Sequence, residues 1–432
     1  MKNRIKQYLL AASMCVGLTA CSDFFEPIPG VQFGLDETFA SKQRTEEYLN
    51  NVYSYVREVT DAIHPNTYGG IFTEASLDGA NRWNKTYAEW TNGSFNSASA
   101  QASEYFSKYY QAIAKASTFI QNVDKCTEAA ASTRGKWKSE ARALRAYYYF
   151  ELLRLYGPIP LIGEDPIPLD ASLEELIKER NSVDECVNFI ATELQSAIDS
   201  GDLLQRAGKA NLGRMDVATC MALKAKLYLY WASPLFNGNT DQASVKNKDG
   251  KQLFPQTEDN SKWAQARDAY ERFMTFAAGQ GYKLTEVYTN GKLDPYASCR
   301  AAGEFFTTTW EAVDELIFVK LRDLYDYTYW VCPKFTDFQD TDVTGGGGYY
   351  TTQETVDLFF TKDGLTIEED PGYDKFEGIP SANNFTSGRY YDPNNPSRLY
   401  FDADKSKVLK QWKDREPRFY VNITYSGSIW LN

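Results

Sequence analysis

Aromatic and amide side chains lie close together in one polar stretch, Asp78–Trp90. It contains Trp83, flanked by Asn81 and Asn84, and then Tyr87. An aromatic ring can stack on the apolar face of a sugar, and amides can hydrogen-bond its hydroxyl groups. Because the stretch is too polar for a core, we predict that these four residues contact a ligand. The alternative is that the rings anchor the loop on its scaffold.

A second aromatic cluster follows a predicted short strand at Glu315–Val319 and contains Tyr327, Tyr329 and Trp330. Tyr296 is a further, isolated candidate. Alternating side chains along an extended segment could equally place half of these rings in a core. We therefore predict ligand contact for these residues while leaving the core interpretation open.

The composition argues against most catalytic and metal sites. The chain has a single histidine, His64, whereas catalytic triads, dyads and zinc sites rely on imidazole. The Gly345–Gly348 run lacks the Lys-Ser/Thr ending of a phosphate loop. We expect no metal and no cofactor. Outside the N-terminal segment the cysteines form no Cys-x-x-Cys pair, and we predict that they are mostly buried thiols. They are Cys126, Cys186, Cys220, Cys299 and Cys332.

The N-terminus has the layout of a secretory signal. A basic start at residues 2–6 precedes an apolar run at residues 8–18, which is too short to span a bilayer. The following Leu18–Cys21 segment is similar to the bacterial lipobox, which predicts a signal peptide over residues 1–20 and a lipidated Cys21. An ordinary signal peptide that ends near a cysteine is the alternative.

Charge narrows the range of partners. The formal net charge is −12, and removal of residues 1–20 deletes three positive charges and no negative one, which gives −15. Nucleic acid and anionic lipid headgroups are therefore poor partners. Acyl chains on Cys21 would hold the protein at a membrane without spanning it. The acidic and aromatic Ser22–Glu26 segment resembles surface-export signals, so we expect the protein to face the cell exterior.

Helical periodicity dominates the first two thirds of the chain. Ser182 and Glu185 form a capping-box pattern, and Gly157 followed by proline predicts a helix end. The Trp263-x-x-Ala266 start is typical of tetratricopeptide-like hairpins, although no regular repeat near 34 residues is present. Apolar residues at three- and four-residue steps predict helices over residues 41–60, 105–123, 141–155, 183–197, 218–229 and 262–277.

These patterns predict a mainly α fold, a degenerate tetratricopeptide-like α-α superhelix. We place this helical region, with the lipidated N-terminus, at residues 21–280. Residues 281–432 are rich in Gly, Tyr, Asp and Pro and predict an irregular, loop-rich decoration that contains short strands.

Six segments of the chain match one pattern in order: Cys21–Pro27, Tyr48–Tyr53, Ala141–Phe150, Tyr156–Leu161, Ala222–Leu229 and Glu416–Tyr420. Together they resemble the SusD/RagB family of outer-membrane nutrient-binding lipoproteins. Members of the family usually continue beyond the last of these segments, so Asn432 is expected to end a truncated product or a fragment.

The resemblance implies a lipoprotein anchored at the cell outer membrane. It would capture oligosaccharide or polysaccharide, or in some members peptide, and deliver it to a SusC-like TonB-dependent transporter without acting as an enzyme. Family members that bind starch carry a stacking tryptophan in a stretch comparable to that of Trp83. The Ala141–Phe150 segment is predicted to lie on a helix, which we call the signature helix. Its Arg142 and Arg145 are interpreted as residues that cap, form salt bridges or snorkel rather than bind a ligand.

Two other classes remain open. A surface glycoside hydrolase on a helical toroid also combines helices with aromatic subsites, and it needs two carboxylates about 5 to 9.5 Å apart. With 58 acidic residues the sequence does not exclude such a pair. A purely structural or adhesive surface lipoprotein would differ in binding no soluble glycan or peptide.

Overall fold

The computed structural model shows a helical layer followed by a region of short strands and turns. It describes residues 33–57, 76, 79–81, 93–168, 171–304, 314–320, 347, 349–376 and 378–429. Within these ranges no helix is both long enough and apolar enough to cross a membrane.

The five long helices α3, α4, α6, α7 and α8 pack on one another in chain order, each on the next. This confirms the predicted α-α superhelix. The helix bounds are α1 (Leu35–Ala40), α2 (Lys42–Ser54), α3 (Ala100–Asn122), α4 (Ala131–Tyr156), α5 (Leu173–Leu176), α6 (Val183–Asp199), α7 (Val217–Ala232), α8 (Ser261–Gly279), α9 (Pro295–Glu304), α10 (Gln353–Asp357) and α11 (Pro417–Asn422).

Helix ends follow the local signals in the sequence. At the start of α6, Ser182 Oγ accepts a hydrogen bond from the Glu185 amide at 3.3 Å, and a Glu185 carboxylate oxygen accepts from the Ser182 amide at 2.8 Å. This confirms the capping box. Helix α4 ends at Gly157, whose φ of 68° is in the left-handed region. A Cβ atom there would lie 3.0 Å from Phe254 Cζ, so both the conformation and the packing favour glycine.

The signature helix α4 lies at the centre of the core. Tyr148 donates a hydrogen bond to the Val52 carbonyl, and Tyr149 donates to the Ile162 carbonyl at 2.7 Å. These bonds satisfy the phenol groups of rings that are fully buried. The tyrosines of α4 therefore join α2 and the turn after α4 to the helical layer, which is a packing role.

Both arginines of the signature helix form salt bridges, which is one of the three roles that the sequence left open. Arg145, fully buried, donates from Nε to Glu193 Oε2 at 2.8 Å and from Nη1 to Ser117 Oγ at 3.0 Å. Arg142 Nη1 lies 3.3 Å from Glu193 Oε1 and 3.7 Å from Glu164 Oε1. The ion pairs link α4 to α6, so these arginines are structural.

The described strands pair antiparallel, two at a time. The β6–β7 pair contains register shifts around Tyr391. The pairs are β1 (Ala80–Asn81) with β4 (Tyr349–Tyr350), β2 (Tyr288–Thr289) with β3 (Lys292–Leu293), β5 (Phe385–Thr386) with β8 (Val408–Leu409), and β6 (Arg389–Asp392) with β7 (Asn395–Asp402).

The predicted strand at 315–319 is wrong, because this segment forms turns and irregular backbone. The segment instead contacts helices through the Phe318 ring and the Ile317 backbone. The Phe318 ring packs edge-on against Tyr147 of α4, with centroids 6.1 Å apart, and Thr219 Oγ1 of α7 donates to the Ile317 carbonyl at 3.2 Å. A short apolar run does not distinguish a strand from a loop that is buried on helices.

The described cysteines are free thiols. Cys126, Cys186 and Cys220 are buried, as predicted, and Cys299 is half-buried. Burial raises the pKa of the Cys186 thiol to about 11. Cys332 lies outside the described residues.

Candidate functional site

A cavity of about 510 Å³ lies in the strand-containing region, between α9, β7, α11 and the segment after α11. Four tyrosines contribute to its walls: Tyr296, Tyr400, Tyr420 and Tyr425. We call it the tyrosine cavity. Its volume is in the range of small-molecule binding sites.

Three of the rings, those of Tyr296, Tyr400 and Tyr420, contact one another and form a continuous aromatic wall. Tyr400 and Tyr420 stack with centroids 3.9 Å apart and ring planes at 9°. Tyr296 lies 5.5 Å from Tyr400, tilted by 37°. Tyr400 is buried, whereas Tyr296, Tyr420 and Tyr425 are partly exposed. The half-exposed rings offer surface for stacking on a ligand.

The sequence positions these rings from separate elements. Tyr296 is the second residue of α9, and Tyr400 lies in β7. Tyr420 follows Pro417, which occupies the first turn of α11 and is suited to it by its fixed φ. The aromatic wall therefore depends on three elements that are far apart along the chain.

The tyrosine hydroxyls near the wall are neutral hydrogen-bonding groups. Burial raises the pKa of Tyr400, Tyr420 and Tyr425 well above the usual range for a phenol. Tyr420 donates to the Trp412 carbonyl at 2.9 Å and accepts from the Arg415 amide at 3.2 Å. Because these protein groups bind its hydroxyl, Tyr420 contributes ring surface to the cavity.

Arg398 forms part of the cavity wall and is held by two carboxylates that lie behind it, outside the lining. Arg398 Nη1 and Nη2 donate to the two carboxylate oxygens of Asp294 at 2.8 and 2.9 Å, and Nη1 also donates to Asp392 at 2.6 Å. Both carboxylates are buried. The hydrogen bonds from Arg398 lower the pKa of Asp294 to about 2.

The remaining polar lining suits hydroxyl-rich ligands. Arg300, Asn395, Ser397 and Thr424 line the cavity and are exposed or half-exposed. None of the described residues in its lining carries a carboxylate. The chemistry available there is stacking together with hydrogen bonding, and the acid and base pair of a glycosidase is not part of the described wall.

A second concavity, of about 410 Å³, runs along α3 and the loop after α4. Phe106 and Tyr110 line one side, and Ile162, Leu176 and Ile177 line the other. This lining is mainly apolar, and the Tyr110 hydroxyl donates to the Pro160 carbonyl at 2.6 Å. It is less suited to sugars than the tyrosine cavity, because recognition of hydroxyl groups needs polar partners.

Of the predicted ligand-contacting residues, Tyr296 has a described side chain and lies in the cavity wall. Asn81 has a described backbone, which pairs with Tyr349 in the β1–β4 ladder. The other predicted site residues lie outside the described residues: Trp83, Asn84, Tyr87, Tyr327, Tyr329, Trp330 and the lipidation candidate Cys21. The structure therefore brings only one of the predicted side chains into the described site.

Sequence reasoning missed Arg398, Tyr400, Tyr420 and Tyr425. Tyr420 belongs to the Glu416–Tyr420 segment, which we interpreted only as a family signature. A partial signal for β7 was its run of strand-forming residues ahead of Asp402. No local pattern connects these residues to Tyr296.

Two models of one family match the chain in succession. A SusD-like model described as "Starch-binding associating with outer membrane" matches residues 32–229, and the model of the SusD family matches residues 315–432. A curated SusD-like protein of Bacteroides ovatus is 27% identical over 175 residues, which are 39% of this chain and 30% of that protein.

Solved structures share the fold. The protein named BT4246 gives a TM-score of 0.69 at 24% identity, covering 88% of this chain and 64% of that chain. A SusD-like protein of Bacteroides fragilis gives 0.60 at 19% identity, covering 90% and 62%. A laminarin-binding SusD-like protein gives 0.51 at 17% identity, covering 74% and 64%.

The chain thus spans less than two thirds of the length of each of these solved relatives. The two family models nevertheless match both its helical layer and its strand-containing region, and the solved structures share its architecture. The chain belongs to the SusD/RagB family.

Proposed function

We propose that this protein is a non-catalytic, glycan-binding surface lipoprotein and that the tyrosine cavity is one of its binding sites. The observation that carries the proposal is the aromatic wall of Tyr296, Tyr400 and Tyr420 in a cavity that neutral polar groups such as Asn395 also line. Rings and hydroxyl-binding groups in one concave site are the combination that sugars require.

The family supports the same function. One matching model is described as starch-binding and associated with the outer membrane, and one solved relative is named as laminarin-binding. We infer that this chain also binds oligosaccharide or polysaccharide at the outer membrane and delivers it to a SusC-like TonB-dependent transporter. Anchoring through Cys21 and orientation toward the cell exterior belong to this proposal.

The polar stretch around Trp83 is proposed as a second contact region. It follows directly on β1, whose Asn81 pairs with Tyr349. Tyr350 in the same ladder is 55% exposed, so a further aromatic ring is accessible at the point where the stretch begins. We propose that Trp83, Asn84 and Tyr87 are further ligand contacts.

Calorimetric titration of the purified chain against a panel of glycans, with a peptide digest as a second panel, tests the binding function. Tyr296→Ala should weaken the binding of the cognate glycan about ten-fold, since loss of an aromatic stacking contact costs roughly 1 to 3 kcal/mol. Tyr288→Ala is the matched control, because Tyr288 is 60% exposed and does not line the cavity.

If the protein binds peptides and no glycan, its ligand is a peptide. If it binds neither peptides nor glycans, a structural or adhesive role remains. Equal losses in the two tyrosine variants would remove the cavity from the proposal. The transporter is tested by purifying the tagged lipoprotein from solubilised outer membranes and identifying any TonB-dependent transporter that accompanies it.

The competing function is glycoside hydrolysis. A binding protein releases no new reducing ends from a glycan that it binds, whereas a hydrolase does so at a steady rate. Product that accumulates with the purified protein and disappears after substitution of one carboxylate would establish the hydrolase instead.

A further inference from the structure

The guanidinium of Arg398 lies over the ring of Tyr296, with Cζ 4.2 Å from the ring centroid. This distance is well within the range of cation–π attraction. A ring has two faces, and the guanidinium occupies one of them. A ligand that stacks on Tyr296 must therefore use the other face.

Arg398 cannot turn freely, because two carboxylates hold its planar guanidinium. Asp294 binds it through both oxygens, and Asp392 accepts a third hydrogen bond at Nη1. The side chains of Asp294 and Asp392 are 2% and 1% exposed, whereas that of Arg398 is 19% exposed. Bidentate pairing fixes the plane of a guanidinium as well as its position.

The carboxylates are themselves fixed by the backbone around them. Asp294 Oδ1 accepts from the Ala297 amide and Oδ2 from the Thr289 hydroxyl, both at 2.9 Å. Asp392 Oδ1 accepts from the Asn394 amide at 2.8 Å. The hairpin of β2 and β3, the start of α9 and the turn between β6 and β7 therefore converge on one guanidinium.

We propose that Arg398 is a positioning residue for the ligand platform of the tyrosine cavity, and that it acts by holding the Tyr296 ring in one orientation. This inference rests on the proposed glycan-binding function. An aromatic ring that is ordered before binding loses less conformational entropy when a ligand binds. The smaller entropy loss makes the binding free energy more favourable and so raises the affinity. The two carboxylates already bind the charge of Arg398, so its role is to orient the ring and not to receive a ligand anion.

Fluorine NMR tests the orientation without any ligand. In the full chain, 3-fluorotyrosine at position 296 should give one sharp resonance in the otherwise natural protein. Arg398→Lys keeps a cation but lacks the planar guanidinium, so the resonance should broaden or split. Arg398→Gln also removes the positive charge, so the broadening or splitting should be larger. Arg389→Lys is the matched control, because Arg389 pairs with Asp402 nearby but does not line the cavity. An unchanged resonance in both Arg398 variants overturns the proposal.

Glycan affinity gives a second readout, through a double-mutant cycle. Arg398→Lys alone should weaken glycan binding about five- to ten-fold, in line with the energies of cation–π contacts. In a Tyr296→Ala background the same substitution should cost no further affinity, because its effect passes through the ring. Additive losses would show that Arg398 acts on the ligand directly or through the fold, and they overturn the positioning role.

The two proposals fail in distinguishable ways. If the natural protein binds none of the glycans, the function proposed for the cavity fails, while the fluorine spectrum still decides whether Arg398 orders Tyr296. If glycan binds but the fluorine resonance at position 296 is the same in the natural protein and the Arg398 variants, the proposed function stands and the positioning role is wrong.

Discussion

Arg145 Nε of α4 donates a hydrogen bond to Glu193 Oε2 of α6 at 2.8 Å, and neither side chain is more than 6% exposed. Water has almost no access to this ion pair, so protein groups must balance its charges. Removal of Arg145 would leave Glu193 with only the longer contact from Arg142, whose side chain is 24% exposed.

We predict that Arg145→Met lowers the free energy of unfolding by about 3 to 5 kcal/mol, the usual cost of breaking a buried pair by removing one partner. Urea denaturation followed by circular dichroism measures the loss. Arg267→Met is the control, because Arg267 is 66% exposed and pairs with the adjacent Asp268, so its loss should change little. A comparable, small effect in both variants would show that the buried pair is energetically unimportant.

The lowered pKa of Asp294 predicts that part of the free energy of unfolding is lost in acid. Its pKa falls from 3.8 to about 2 on folding because of the hydrogen bonds from Arg398, so the ionised form is favoured in the folded state. The stabilisation is fully present above pH 3.8 and is lost as the pH falls toward 2. It amounts to about 2 kcal/mol, from the energy equivalent of the pKa shift.

Asp294→Asn should therefore be less stable than the natural protein at neutral pH, and the difference should shrink between pH 4 and pH 2, as the shifted pKa requires. Urea denaturation at a series of pH values measures this. A difference that does not depend on pH would mean that the Asp294–Arg398 pair contributes through shape rather than charge.

The helices can be predicted from local sequence patterns, whereas the tyrosine cavity cannot. Apolar periodicity and caps such as Ser182 act within one or two turns. Each predicted helix has a counterpart in the structure, although the helix predicted over residues 41–60 ends at Ser54. The Asp294–Arg398 pair joins residues 104 positions apart, and no periodic pattern encodes such a contact. Tyr296 was found by residue type alone, while its partners Tyr400 and Tyr420 depend on the same long-range packing.

Trp83→Ala tests the second contact region. Because Trp83 lies in a polar stretch beside Asn81 and Asn84, loss of its ring should weaken glycan binding by about ten-fold, the equivalent of one stacking contact. Calorimetric titration with the cognate glycan measures this, and a melting curve of the same variant serves as the control. Unchanged affinity removes Trp83 from the site, and a large fall in melting temperature would identify it as a loop anchor.

Cys21→Ser tests the lipid anchor. The substitution removes the thiol that the Leu18–Cys21 lipobox presents for acylation, so the protein should leave the membrane fraction. Palmitate labelling of intact cells followed by fractionation provides the measurement, and Cys15→Ser is the matched control within the signal segment. Labelling that persists in the Cys21 variant contradicts lipidation at this residue.

The β1–β4 ladder has a consequence for the order of folding. Each long helix packs on the next one along the chain. The ladder instead pairs Asn81 with Tyr349, and all five long helices lie between these two residues in the sequence. Closing a longer loop costs more entropy, and distant contacts form more slowly than local ones. A chain synthesised from its N-terminus can assemble the helical layer early, but β1 has no strand partner in the ladder until β4 has been synthesised. The ladder at β1, after which the Trp83 stretch begins, is therefore completed only after synthesis has reached Tyr350.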